Sequence, residues 1–125
     1  MPIQYVVIGL GGAVGALSRV LLSKIMPVFI LSSIPFPILF VNVFGCFLMG
    51  LVSELLSPYE PNLLIRSFLI PGFWGGFTTF SAFTFEFGNL IEKNLYYSAL
   101  CYAMLSVFAS VICFFLGIKL IKIFQ

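Results

Sequence analysis

The residues best suited to chemistry in this 125-residue chain lie in one segment, Pro71-Gly72-Phe73-Trp74-Gly75-Gly76-Phe77-Thr78-Thr79-Phe80-Ser81-Ala82-Phe83. It opens on a proline and holds three glycines in five residues. Proline removes a backbone donor and glycine lowers helix propensity, so a helix entering here is expected to break near Gly75 to Thr79. Free carbonyls at the end of the first half-helix can hold a cation. Free N–H groups at the start of the second favour negative charge. Thr78, Thr79 and Ser81 add hydroxyls at the same point. Phe73, Phe77, Phe80, Phe83 and Phe87 recur at helical steps. A phenyl ring has a negative face and a positive edge, so edge-on rings favour a small anion without trapping it. A plainer reading stays open beside this one: a glycine-rich packing site, with a phenylalanine stripe facing lipid or core.

Polar groups outside this segment are few. Asn42 lies inside an apolar run, where its amide is either a donor to an anion or a hydrogen-bonding link between helices. Tyr102, Ser106 and Ser110 fall four apart and so share one helix face, which Ser98 extends. That row is either a hydrated track or a set of small residues at a helix contact. Glu86 is the only acid well inside a span; intramembrane acids are rare and usually functional, although a structural hydrogen bond to Tyr or Ser is the alternative. Arg19 stands near the end of the first apolar run, placed to draw anions inward or to snorkel to the headgroups.

Other chemistries lack their residues. There is no His and no Asp, and no paired carboxylates fall on neighbouring turns, so an enzyme is not expected. Cys46, Cys101 and Cys113 are odd in number and show no C-x-x-C spacing, which argues for small apolar residues rather than a metal site or disulfides. Gly9-x-Gly11 invites a dinucleotide-binding reading, but the third glycine would fall at Val14 and no acid follows until Glu54. Gly11 and Gly15 instead form the small-residue spacing of close helix packing. A net charge of +2 with scattered basic residues gives no nucleic-acid surface.

The elements that must position these residues follow from hydropathy. Hydrophobic residues make up 62% and charged residues 8% of the chain, where a soluble domain carries about 25% charged residues. The solvent for most of this protein is therefore lipid. A spanning helix needs roughly 20 mostly apolar residues. Four candidates meet that need, at about residues 3–22, 37–56, 63–90 and 95–118. The third is too long and too interrupted for one simple helix. No basic n-region precedes the first run, so it reads as a retained span. Residues 26–37 read as a turn or a short interfacial piece, and Glu92, Lys93 and Asn94 as a tight polar turn. One side of the membrane would carry Arg66, Lys119 and Lys122, and the other Arg19, Lys24 and Lys93. This balance selects neither orientation. Either one charge dominates and insertion is one-way, or both orientations insert and two copies pair head to tail like an inverted repeat.

Three motifs resemble the Fluc (CrcB) family of bacterial and archaeal fluoride channels. They are Gly12-x-x-Gly15-Ala16-x-x-Arg19, Asn42-Val43-x-Gly45-x-x-x-x-Gly50, and Gly72-Phe73-x-Gly75-Gly76-x-Thr78-Thr79-Phe80-Ser81-x-Phe83. The resemblance covers the whole chain, and the third motif is the specific one. It implies an all-α membrane protein in which residues 1–125 form one channel domain. That domain would have four transmembrane helices, the third broken, and would pair as an antiparallel dual-topology homodimer. It implies passive export of cytoplasmic fluoride across the bacterial plasma membrane through two pores, which lowers fluoride toxicity. Asn42, Phe80, Phe83 and Ser81 would line the pore, and Arg19 would sit near a vestibule. Glu86, Tyr102, Ser106 and Ser110 would contribute to a polar track. Backbone carbonyls of Gly75 and Thr78 from both copies would hold a structural Na+ on the two-fold axis. The partners implied are fluoride, the lipid bilayer and a second copy, with no nucleic acid. Ala82 departs from the commonest motif, where Thr often follows Ser81. Two other classes fit less well. A proton-coupled multidrug exporter relies on an acid in the first span, which is absent here, and an assembly subunit would require obligate co-purification with another protein.

Overall fold

A computed structural model describes residues 2–26, 33–57 and 62–125. Among these residues every regular element is helical, and no strand forms. The order is α1 (Pro2–Ile25), α2 (Phe36–Leu55), α3 (Leu63–Ser67), a π-helical stretch (Phe68–Trp74), α4 (Gly75–Phe77), α5 (Phe80–Glu92) and α6 (Tyr96–Phe124). Three helices, α1, α2 and α6, are long and apolar enough to cross a membrane. They agree with the hydropathic runs, and α6 continues past Lys119 and Lys122 to Phe124. Most of the interfacial piece expected at 26–37 lies outside the described residues, as do Pro58, Glu60 and Pro61. The polar turn at Glu92 to Asn94 is present, with Asn94 at φ 59°, a left-handed conformation that Asn tolerates better than most residues.

The ends of these helices follow ordinary rules. Pro37 falls in the first turn of α2, where its missing N–H costs nothing. Asn62 caps α3, its Oδ1 accepting the Leu64 N–H at 3.0 Å. Pro71 does not end its helix. It sits inside the π-helical stretch, where the regular α pairing is already displaced and the absent donor is absorbed.

Two packing units organise the chain. The first seats α1 against the π-helical stretch and α4, and the second seats α2 along α6. Both depend on backbone-to-backbone approach. A methyl group on Gly11 or Gly15 would overlap the Phe68 or Phe73 carbonyl oxygen, and one on Gly50 or Gly117 would overlap that of Phe114 or Phe47. The spacing of Gly11 and Gly15 thus serves the close packing expected of it. A smaller core joins α5 to α6 through Phe83, Leu90, Ala99 and Tyr102. Elsewhere large apolar side chains point outward, including Leu10, Leu17 and Leu21 on α1 and Phe108, Ile112 and Phe115 on α6. Such a surface needs lipid or another protein to cover it.

Candidate functional site

The helical path through 63–77 ends at Phe77 and resumes at Phe80. Only Thr78 (φ −87°, ψ 138°) and Thr79 (φ −149°, ψ 129°) are extended. The break therefore lies at the threonine end of the segment in which it was expected. The glycines before it remain helical and serve contact instead: Gly72 approaches Gly11, and Gly76 approaches Gly12. Extended backbone suits β-branched Thr, which packs poorly in a helix.

Asn42 holds the break in place. Its Oδ1 accepts the Thr79 N–H at 2.9 Å, and its Nδ2 donates to the Thr79 carbonyl at 3.2 Å. The side-chain amide thus pairs with one residue's two backbone groups, much as a neighbouring strand would. The amide has two N–H donors, so one remains after the bond to Thr79. Gly45, one turn further along α2, has no side chain to obstruct the Thr78 methyl, so the break seats closely on α2. Thr78 Oγ1 donates back to the Trp74 carbonyl at 2.8 Å, closing the end of α4. On the other side, Arg19 Nε donates to the Gly76 carbonyl at 3.4 Å. The Thr79 N–H would ordinarily close a helical turn onto Gly75; bonded to Asn42, it leaves the Gly75 carbonyl without that donor.

Beside the break is a cleft of about 280 Å³. Polar Asn42, Thr78, Thr79, Ser106 and Ser110 line it together with Cys46, Phe80 and Phe83. No charged side chain lines it among the described residues. Phe80 and Phe83 have ring centroids 5.2 Å apart, tilted at 42°. Phe83 also lies 5.0 Å from the Tyr102 ring. The phenylalanine stripe divides at the break: Phe73 and Phe77 stack together before it, and Phe80, Phe83 and Phe87 form a chain after it. Phe83 is buried, whereas Phe80 is 74% exposed.

The hydroxyl row on α6 is the least ordinary part of the site. Tyr102 is 0% exposed and Ser106 9% exposed, yet the Tyr102 hydroxyl, Ser106 Oγ and Ser110 Oγ all lack a hydrogen-bond partner. Ser110 has the Cys46 thiol beside it, a weak donor without hydrogen-bonding geometry here. Unpaired buried hydroxyls cost about 1–3 kcal/mol each. Three in a row along one helix face are unfavourable for packing alone and suit a passing polar guest. A Ser106→Ala, Ser110→Ala double variant is accordingly expected to keep or raise thermal stability in detergent, whereas a loss of stability on the order of 1 kcal/mol or more would mark the row as packing.

The remaining expected residues fall around this cleft. Ser81 is exposed at the start of α5, 2.8 Å from the Thr79 hydroxyl, and does not line the cleft. Glu86 lies within electrostatic reach of Tyr102. Gly75 and Arg19 stand on the α1 and α4 side of the break. Cys46 and Thr79 carry more of the site than their sequence context announces. Cys46 falls four residues after Asn42 and so shares its helix face, a signal that was available. Thr79's pairing with a side chain 37 residues away is nonlocal.

The sequence has counterparts. Residues 6–118 match the family model described as CrcB-like protein, Camphor Resistance (CrcB). The chain is 39% identical to a fluoride-specific ion channel of Chlorobium phaeobacteroides, the alignment covering 98% of each chain. It is 40% identical to a fluoride-specific ion channel of Parabacteroides distasonis over 90% of this chain and 88% of that one. A third such channel, from Gloeothece citriformis, is 33% identical over 96% of this chain and 98% of its own.

Proposed function

The chain belongs to the CrcB family, and from that premise we propose that it is a fluoride-specific channel passing the ion by passive electrodiffusion out of the cytoplasm. It is a multi-pass membrane protein rather than an enzyme. The observation that carries the reading is the uncharged cleft in which Asn42, two phenylalanine rings and the unpaired Ser106 and Ser110 hydroxyls meet. A small dehydrated anion entering there would be met by the spare Asn42 N–H, by positive ring edges and by the start of α5. That helix has no side-chain N-cap, so its first N–H groups are available. Without a fixed charge, no contact is strong enough to trap the ion, and release stays fast. Ser106, Ser110 and Tyr102 would then carry it along α6, with Glu86 beside the far end and Arg19 drawing anions toward the mouth. Expression in a bacterium stripped of its own fluoride exporter should restore growth in fluoride-containing medium. Unchanged sensitivity, with the protein present in the membrane, would argue against the function.

In this reading residues 63–92 make a fourth, broken crossing. Irregular backbone is tolerated at membrane depth only where protein or a hydrated cavity covers it. Here Gly75, Phe80 and Ser81 are exposed on the single chain, so a second copy is the natural cover. The even Lys/Arg balance favours an antiparallel copy, which would bring two breaks together and create two paths. The backbone carbonyls of Gly75 and Thr78 would then face their counterparts. Gly75 lacks its usual donor and Thr78 is extended, and uncharged oxygen ligands suit a hard alkali cation such as Na+. When bound, that ion would supply positive charge holding the two breaks together. Dual orientation has a direct test. A Gln125→Cys variant, with Cys46, Cys101 and Cys113 changed to Ser, should label from both faces of the cell membrane with an impermeant thiol reagent. Labelling from one face alone would exclude the antiparallel pair.

A further inference from the structure

Cys46 lies one turn beyond Asn42 on α2 and lines the cleft itself. Ser106, nine-tenths buried and with its hydroxyl unpaired, lines the same cleft, and Ser110 sits beside the thiol. The other two thiols are placed differently. Cys101 lines an apolar groove on the outer face of α6, and Cys113 lies near Cys46 but outside the cleft. We propose that Cys46, with the Ser106 and Ser110 hydroxyls, forms a binding site for soft, thiophilic metal ions, and that its occupation closes the ion path. The proposal rests on the reading that the cleft conducts.

The chemistry requires no further reagent. Thiol sulfur selects soft metals over hard ones, and the two hydroxyls offer secondary oxygen contacts. Mercury(II) chloride is uncharged and so reaches a site at membrane depth without the cost of burying an ion. One S–Hg bond forms and one Hg–Cl bond breaks. The thiol proton leaves with the released chloride, and nothing is oxidised or reduced. The bulky adduct then stands in a cleft of about 280 Å³ beside the Asn42 amide.

The test is fluoride efflux from proteoliposomes before and after addition of mercury(II) chloride. A Cys101→Ser, Cys113→Ser variant should lose efflux on the order of tenfold or more, because one bound obstacle removes a sparsely sited path. Adding Cys46→Ser or, as a second variant, Cys46→Ala should leave the rate unaffected by the reagent, whatever its starting value. Mass analysis of the treated wild type should place the adduct on the peptide containing Cys46. Block that persists without Cys46, or a conducting wild type that the reagent leaves unchanged, overturns the proposal. Failure of the underlying reading is distinguishable: untreated liposomes would then show no fluoride efflux at all.

Discussion

Replacing Asn42 with alanine is expected to abolish fluoride efflux and to destabilise the protein at the same time. The amide makes both backbone hydrogen bonds of Thr79, and alanine makes neither. Each backbone group left buried without a partner costs about 1–3 kcal/mol. With no anchor, the extended pair Thr78–Thr79 has no reason to keep Phe80 and Phe83 beside the cleft. Loss of about 2–3 kcal/mol of ion stabilisation lowers the rate roughly a hundredfold. Asn42→Asp separates the two roles. Its carboxylate still accepts the Thr79 N–H but cannot donate to the Thr79 carbonyl, and its charge repels an anion. Stability measured by thermal unfolding should therefore recover in part, while efflux stays at background. Efflux near the wild-type rate in the aspartate variant would remove Asn42 from the ion path and leave it a purely structural anchor.

The second large effect concerns the rings. Phe80→Ile and Phe83→Ile keep apolar bulk but remove the positive ring edge. Fluoride efflux should fall at least about tenfold in each, equivalent to about 1.4 kcal/mol at the barrier. Their stabilities should differ. Phe83 is buried against Tyr102 and Phe87, so its loss should cost about 1–3 kcal/mol, as for an ordinary core substitution. Phe80 is largely exposed on the single chain, and its replacement should leave the monomer's fold intact. Wild-type efflux in both variants would mean that ring edges take no part in conduction.

Much of this fold is legible in the sequence because lipid imposes a simple code. Apolar runs of sufficient length mark α1, α2 and α6, and the small-residue spacing of Gly11 and Gly15 marks a close contact. The row Tyr102, Ser106 and Ser110 is legible because a spacing of four is local to one helix. The position of the break is less so. Proline and glycines point to the segment, yet Pro71 is absorbed by a π-helical stretch and Gly72 and Gly76 face α1. The extended residues are the two threonines, selected by a hydrogen-bonded side chain 37 residues away. No local propensity encodes that partnership. The same holds for Arg19, whose bond to the Gly76 carbonyl ties α1 to the edge of the break. Read alone, it is simply a basic residue near a helix end.

Conduction of fluoride through the cleft beside this break has a direct test. Purified protein in liposomes loaded with potassium fluoride, with a potassium ionophore present to balance charge, separates the chain from every other cellular component. Ionophore addition should trigger rapid fluoride efflux well above that of protein-free liposomes. Liposomes loaded with potassium chloride should release chloride no faster than protein-free ones. Fluoride retention equal to that of empty liposomes, or chloride efflux as fast as fluoride efflux, would contradict it.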